Sequence, residues 1–457
     1  MTEAERLAAF VDNATFEQFS EVARASLKIR ILDALGCAIG ALDAAPMTLI
    51  RAHLDDFGGS RRCTLIGGGR SAPDRAALLN SALLRYLDFN DSYLAAGETC
   101  HPSDNLGPVL AAAEYAGQSG RDFLTALAVA YQVQCRLSDE APVRAKGFDH
   151  VTQGTYAVAA GVSKALGLDR AAIANAVAIA GAGFNALRVT RTGALSNWKG
   201  LAYANMAAGV VNTTFLAVRG ITGPLEVFEG NKGFMDAIAG HFQIDWSAEN
   251  LERVTRTIVK KYNAEVHSQS ALEGVLELKD EHHFEPEEIE KIEVVIFDVA
   301  YNIIGGGEEG EKTHIETKEQ ADHSLPYLIA VALLDGQVMP AQYQPQRIAR
   351  EDVQALLRKI TIHPSPELSA RFPNEMPCRL TITLRTGAVL MKEKHDYEGF
   401  HTRPLLWESA VGKFHSLAEG RVSPFLRAAI ARTVAALENI QASQLTRLLA
   451  QVPNNQG

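Results

Sequence analysis

The sequence predicts a mainly α protein: a large helical domain built from both ends of the chain and a smaller α+β domain between them. Three observations carry this. Up to about residue 240, apolar residues recur at three- and four-residue spacing almost without a break. After about residue 265, β-branched runs of strand character take over. From 405 to 449 the helical spacing returns. The expected domains are therefore 1–265, completed by 405–457, and 266–404.

In order along the chain, ASLKIRILDALGCAIGAL, DRAALLNSALLRYLDF, NLGPVLAAAEYAG, DFLTALAVAYQVQCRLS and TYAVAAGVSKALGL each carry a helical stripe. Several stop at glycine, as helix C-termini do. AAIANAVAIAGAGF (171–184) is small and apolar on every side, the pattern of a helix buried among helices. KIEVVIFDVA (291–300) and KITIHP (359–364) read as strands, and CRLTITLRTGAVLMKEK (378–394) as a hairpin turning at Thr386-Gly387. Helical segments near 319–335 and 351–358 lie between them. LIGGGR and IGGGEEG are glycine-rich but lack phosphate-loop spacing.

Of 457 residues, 47% are hydrophobic and 21% charged, the composition of an ordinary globular enzyme or binding protein. The formal net charge of -10 gives no electrostatic reason to hold nucleic acid or an acidic membrane. An anionic small molecule would need basic residues gathered locally. The start, MTEAERLAAFVDNATFEQFS, has neither the basic end nor the apolar run of a signal peptide. No apolar stretch approaches the about 18 residues of a membrane span. Cys37, Cys63, Cys100, Cys135 and Cys378 are scattered, without a CxxC pair, which suits reduced thiols in a cytoplasm.

Ionisable residues collect at expected helix starts. LDFNDSY, followed by GETCHPSDNLGP (97–108), supplies Asp88, Asp91, Ser92 and His101. Asp88 and Asp91 share a face if the helix continues, or are simply solvated acids at its end. His101 precedes Ser103 or Asp104 as an N-cap, with Pro108 tolerable in the first turn or so. GFDHVTQGTYAVAA repeats the arrangement with Asp149 and His150. RVTRTGALSNWKG gathers Arg188, Arg191 and Lys199 around a loop of Gly193, Ser196 and Asn197, with Trp198 suggesting a buried setting. VKKYNAEVHSQSALE places Lys260, Lys261, Tyr262 and His267 before another helix, and QADHSLPYLIAVALL does so with Asp322 and His323. Helix starts present unpaired N–H groups that suit carboxylates, and a histidine there can move a proton. The recurrence, with the Arg/Lys cluster, points to a pocket for a polycarboxylate with acid–base groups around it. No HxxxH, paired-cysteine spacing or dense carboxylate cluster suggests a metal. Cys100 and His101, being adjacent, are badly placed to act as a nucleophile pair.

LDFNDSY, HPSDNLGPVLA, FDHVTQG, LSNWKG, GITGPLEVFEGNKGF and ADHSLPYLIAVALLDG, in this order, resemble the MmgE/PrpD family over about residues 5–440. That family includes 2-methylcitrate dehydratases, cis-aconitate decarboxylases and iminodisuccinate epimerases. The resemblance implies the two-domain plan above, a homodimer, and no metal or organic cofactor for the main reaction. It also implies active-site positions at Asp88, Ser92, His101, His150, Lys199 and His267. The FDH form of the motif at His150, the long loop between Ser92 and His101, HPSDNLGP and ADHSLPY are most similar to the dehydratase branch. The expected activity is a hydro-lyase that dehydrates 2-methylcitrate or a close tricarboxylate to 2-methylaconitate in propionate catabolism. An iminodisuccinate epimerase or cis-aconitate decarboxylase is the alternative. Arg188, Arg191 and Lys199 would bind carboxylates, with Ser92 and His323 also on the substrate. The proton-transfer pair would come from Asp88, His101 and His150, with His267 assisting.

Overall fold

The computed structural model describes residues 1–192 and 195–454. The chain forms two compact units: Met1–Arg191 with Asn197–Val259 and Leu406–Gly457, and Lys260–Leu405 with Thr192–Ser196. The second unit thus begins at Lys260, where 266 was expected.

The first unit opens with α1 (Glu3–Asn13), whose Thr2 and Glu5 form a reciprocal capping box. It continues through α2 (Glu21–Gly40), α3 (Ala45–Phe57) and α4 (Pro73–Tyr86). A small hairpin, β1 (Tyr93–Ala95) and β2 (Glu98–Cys100), interrupts the helices. Then follow α5 (Leu106–Ala116), α6 (Gly120–Glu140), α7 (Val151–Leu166), α8 (Arg170–Gly183) and α9 (Trp198–Val218). The central helix is α7, packed on α5, α6, α8 and α9. Its small side chains permit this crowding: a Cβ on Gly154 would lie 2.5 Å from the Tyr203 ring of α9.

Helix α9 corrects one expectation, because its 21 residues are apolar enough to match a membrane span. It packs on α4, α5, α7 and α8 as a core helix, and polar Asn205 and Asn212 stand exposed on its outer side. The helical pattern also ends earlier than residue 240. After Val218 the chain runs through short turns, since Gly220, Gly223, Pro224, Gly230, Gly233 and Gly240 punctuate it.

In the second unit, α10 (Gln269–His282) precedes β3 (Ile289–Ile296), α11 (Leu325–Asp335), α12 (Glu351–Leu357), β4 (Ile360–Pro364), β5 (Cys378–Leu384) and β6 (Val389–Lys394). The sheet order is β4-β3-β5-β6, with β3 and β4 parallel and the other pairs antiparallel. β5 and β6 are the expected hairpin, and Gly387 at φ 86° supplies the left-handed turn residue. Alternate residues of β5 are buried, and α10 packs on β5, β6 and α11.

The C-terminal helices α13 (Trp407–Ala418), α14 (Pro424–Ala435) and α15 (Ala442–Leu449) belong to the first unit, where α13 and α14 pack on α2 and α15 on α5. Lys413 of α13 lies 2.6 Å from Asp33 of α2 and donates to the Phe89 carbonyl at 2.8 Å. Its ammonium also sits 3.5 Å from the centre of the Phe89 ring. The chain end is thereby fastened to the segment that follows α4.

Candidate active site

The α4 helix stops at Tyr86, and Asp88 adopts φ 52°, a left-handed conformation uncommon outside glycine. The expected shared face of Asp88 and Asp91 therefore does not exist. Asp88 turns onto Arg85 Nη1, 2.7 Å away, and stands 3.9 Å from Lys199 Nζ. Asp91 is fully buried and accepts from the Ser103 amide at 3.0 Å and the Tyr131 hydroxyl at 2.8 Å. Burial pushes its carboxyl above the usual range.

Ser103 and Asp104 do not cap a helix either. They lie inside a 3-10 turn, Pro102–Asn105, with His101 at its mouth, and α5 starts only at Leu106. Pro108 does fall in the first turn of α5. Asp104 is drawn inward because Asn90 Nδ2 donates to its Oδ1 at 2.8 Å and Arg85 Nε stands 3.5 Å from its Oδ2. Burial, only partly offset by Arg85, pushes this carboxyl up to about 7.

The hairpin pairs Tyr93 with Cys100, so Ser92 and His101 face one another at its open end. Ser92 Oγ is 3.1 Å from His101 Nδ1, and the Asp91 carbonyl is 2.8 Å from the same nitrogen. A carbonyl can only accept, so Nδ1 carries the proton and Nε2 of the neutral ring is the basic nitrogen. Ser92 is itself fixed by backbone hydrogen bonds to Ile258 at 2.8 Å in both directions. Cys100 points into a buried cluster with Tyr93, Ala95 and Cys135.

His150 sits at the mouth of α7. Its Nδ1 is 3.0 Å from Asp149 Oδ1, and Arg191 Nε donates to Asp149 Oδ2. Burial pulls Asp149 upward, but Arg191 and His150 outweigh it and hold the carboxyl well below the usual range. For His150 burial is the leading effect and lowers its pKa, opposed by Asp149. The ring is thus neutral at neutral pH, with the proton on Nδ1. Its Nε2 is buried with no hydrogen-bond partner. The His101 and His150 rings meet edge to face at 5.2 Å between centres, and Tyr203 stacks on His150 at 6.3 Å. The Tyr203 hydroxyl donates to Asn105 at 2.9 Å.

Arg188 is half-buried in the turn that carries Arg191, and its amide donates to the Gly147 carbonyl at 2.9 Å. Lys199 is buried as expected, whereas its neighbour Trp198 is 48% exposed. Ser196 and Asn197 are exposed, and Gly193 lies outside the described residues.

The second unit builds its own cluster. His267 ends up just ahead of α10, its Nδ1 2.7 Å from Glu265 Oε1 and its buried Nε2 without a hydrogen-bond partner. Burial raises Glu265, but His267, His323 and Lys260 win and bring it down to about 2. His323 Nδ1 lies 2.5 Å from Asp322 Oδ1, and Lys318 Nζ 2.8 Å from Asp322 Oδ2. Burial lowers the nearby Lys312 ammonium, and Glu309, Glu265 and Asp322 oppose it.

Of the residues picked from sequence, Asp88, Ser92, His101, His150, Arg191 and Lys199 gather in the first unit, and His267 and His323 in the second. Sequence reading missed Arg85, Asn90, Glu265 and Tyr203, and misread Asp104. Arg85, Asn90 and Glu265 stand within three residues of Asp88 or His267 and carried a local signal, whereas Tyr203 carried none. Among the described residues, no group of three or more His, Cys, Asp or Glu is arranged to hold a metal ion.

Histidines set at helix mouths, each backed by a carboxylate or a carbonyl, together with buried cations, are the groups that acid–base chemistry on carboxylates requires. The chain belongs to the MmgE/PrpD family: residues 5–247 match its N-terminal domain and residues 262–439 its C-terminal domain. It is 29% identical over 440 residues to the 2-methylcitrate dehydratase of Cupriavidus necator, covering 88% of this chain and 87% of that one. To the 2-methylcitrate dehydratase of Escherichia coli K12 it is 28% identical over 401 residues, 81% and 80% of the two chains. To the cis-aconitate decarboxylase of Mus musculus it is 29% identical over 409 residues, 83% and 79%.

Proposed function

We propose that this chain is a hydro-lyase that dehydrates 2-methylcitrate or a close tricarboxylate to the corresponding aconitate. The observation that carries the reading is the orphaned, buried Nε2 of a neutral His150 beside His101. A buried polar atom without a partner has a reason to exist where a substrate supplies one. The dehydration removes a proton from carbon beside a carboxylate and hydroxide from the next carbon. His150 fits the base: Nε2 takes the proton, and Asp149 behind Nδ1 steadies the imidazolium that forms. The acid on the departing oxygen is Asp88 or His101, each in its protonated form, His101 donating from Nε2. Lys199, Arg191 and Arg188 hold carboxylates and blunt developing charge, and Ser92 also contacts substrate. His267, backed by Glu265, assists, and His323 binds substrate.

We infer further that the chemistry needs no metal, that the enzyme works as a homodimer in the cytoplasm, and that it serves propionate breakdown. The exposed apolar side chains Leu187, Val189, Leu216, Val218 and Ile221 of the first unit support self-association. The five free, buried cysteines suit a reducing compartment. Similarity of equal size to a cis-aconitate decarboxylase makes loss of carbon dioxide the competing outcome. The test is ultraviolet absorbance of the conjugated product from 2-methylcitrate, citrate and cis-aconitate, with chelator present. Product from 2-methylcitrate is expected. Carbon dioxide release from cis-aconitate without dehydration of any tricarboxylate would assign the chain to the decarboxylase reading, and loss of activity in chelator would overturn the metal-free one.

A further inference from the structure

We propose that Asp104 is a positioning residue that acts on Asp88 through Arg85, holding the guanidinium from its Nε side in the pose that carries Nη1 to the Asp88 carboxylate. The inference rests on the reading of Asp88 as a proton-transfer group. Arg85 stands in the last turn of α4 and is 3% exposed. Its Nη1 is 2.7 Å from Asp88 Oδ1, and its Nε is 3.5 Å from Asp104 Oδ2, an ion-pair contact outside hydrogen-bond geometry. The far side of Asp104 is fixed by the Asn90 amide at 2.8 Å, and Asn90 Oδ1 stands 3.4 Å from the same Nη1. One buried cation is thus shared between two carboxylates. One of them is wholly buried and the other is held in a left-handed backbone. Keeping a charge at Asp104 costs free energy that an apolar or amide side chain would not. None of the proton transfers described above uses it.

The charged and titratable neighbours set the sign. Asp88 faces Arg85 and, from α9, Lys199. Asp104 faces Arg85, Asp91 and Arg191. Around them, Asp149 acts on Arg85, α6 brings Tyr131 onto Asp91, α9 brings Tyr203 near Asp104, α2 brings Arg30 and Asp33 near Asp91, and the α7 mouth brings His150 against His101. Removing the Asp104 charge leaves Arg85 to Asp88 and takes away a like charge, and both changes make Asp88 a stronger acid. Because burial brings Asp104 up to about 7, its charge changes across the working pH range.

The test has two arms. In D104N, kcat should fall about tenfold with KM within about threefold, and the alkaline limb of kcat/KM, where a general acid loses its proton, should move down by about half a pH unit. N90A, which loosens the same network without removing a charge, should leave that limb in place. In the wild-type protein, the 13C-labelled Asp88 carboxyl signal, identified by its loss in D88N, should titrate with two inflections, the second where Asp104 ionises. A single inflection overturns the proposal even if D104N does not fold, as does a limb that moves equally in both variants. The carboxyl titration needs no substrate. Two inflections in a protein that dehydrates nothing would leave the coupling standing and sink only the functional reading.

Discussion

His150 Nδ1 stands 3.0 Å from Asp149 Oδ1, while Nε2 of the same ring is buried without a hydrogen-bond partner. One nitrogen is committed to an acid that Arg191 keeps ionised, and the other is the one that takes the proton in the proposed dehydration. Asp149→Asn should lower kcat by about 10²-fold, because the imidazolium that forms loses its counter-charge. It should also move the His150-dependent limb of the rate profile to lower pH, since burial already lowers this histidine and Asp149 is what opposes it. Steady-state kinetics across pH check both, and an unmoved limb would argue against His150 as the base.

His101 and Lys199 should differ in kind. His101→Ala is expected to reduce turnover by about 10²–10⁴-fold, the usual worth of a general acid or base. Lys199→Ala, which removes a cation 3.9 Å from Asp88, should chiefly raise KM. Wild-type turnover in the first variant, or wild-type substrate affinity in the second, would refute the respective role.

The Lys413–Asp33 pair gives a stability prediction. Both side chains are buried, and burial raises the Asp33 carboxyl against the pull of Lys413. Lys413→Met should cost about 3 kcal/mol in denaturant unfolding, because Asp33 is left buried and unpaired. The double variant D33N/K413M should recover part of that loss. No recovery would mean that Lys413 matters for its contact with the Phe89 carbonyl and not for the ion pair.

Glu265 makes a pH prediction. Its folded value of about 2 lies below the ordinary 4.5, so the ionised form is favoured in the folded state. The stabilisation is fully present above the unfolded value and is lost as pH falls from about 4.5 towards 2, with a full size of about 3 kcal/mol. Glu265→Gln should therefore be less stable than wild type at pH 6, and the gap should narrow as pH drops below about 4.5. Urea unfolding at a series of pH values checks this. A gap that stays constant would show that the Glu265–His267 pair is not the source.

Much of the site was legible because its residues stand at helix mouths, and helix mouths leave local marks. FDH before a small-residue helix, VHS before Gln269 and DHS before Leu325 all placed their histidines where the structure has them. Asp88 and Asp91 were harder. Whether they share a face depends on whether α4 continues, and it ends at Tyr86 with Asp88 turned left-handed. Asp104 looked like a cap by its distance from an apolar run, but Asn90 and Arg85 draw it inward. Lys413 could not be connected to Phe89 at all, since 324 residues separate them.

The sequence by itself determined the mainly α class, the α+β middle, the helix starts and the residue types that gather there. Those follow from periodicity, capping and glycine punctuation, each of which acts within a few residues. Only the tertiary structure decided which ionisable groups share a buried environment: Arg85 between Asp88 and Asp104, His150 against Asp149 and His101, Glu265 among His267, His323 and Lys260. Charge interactions depend on distance and on the exclusion of water, and packing sets both.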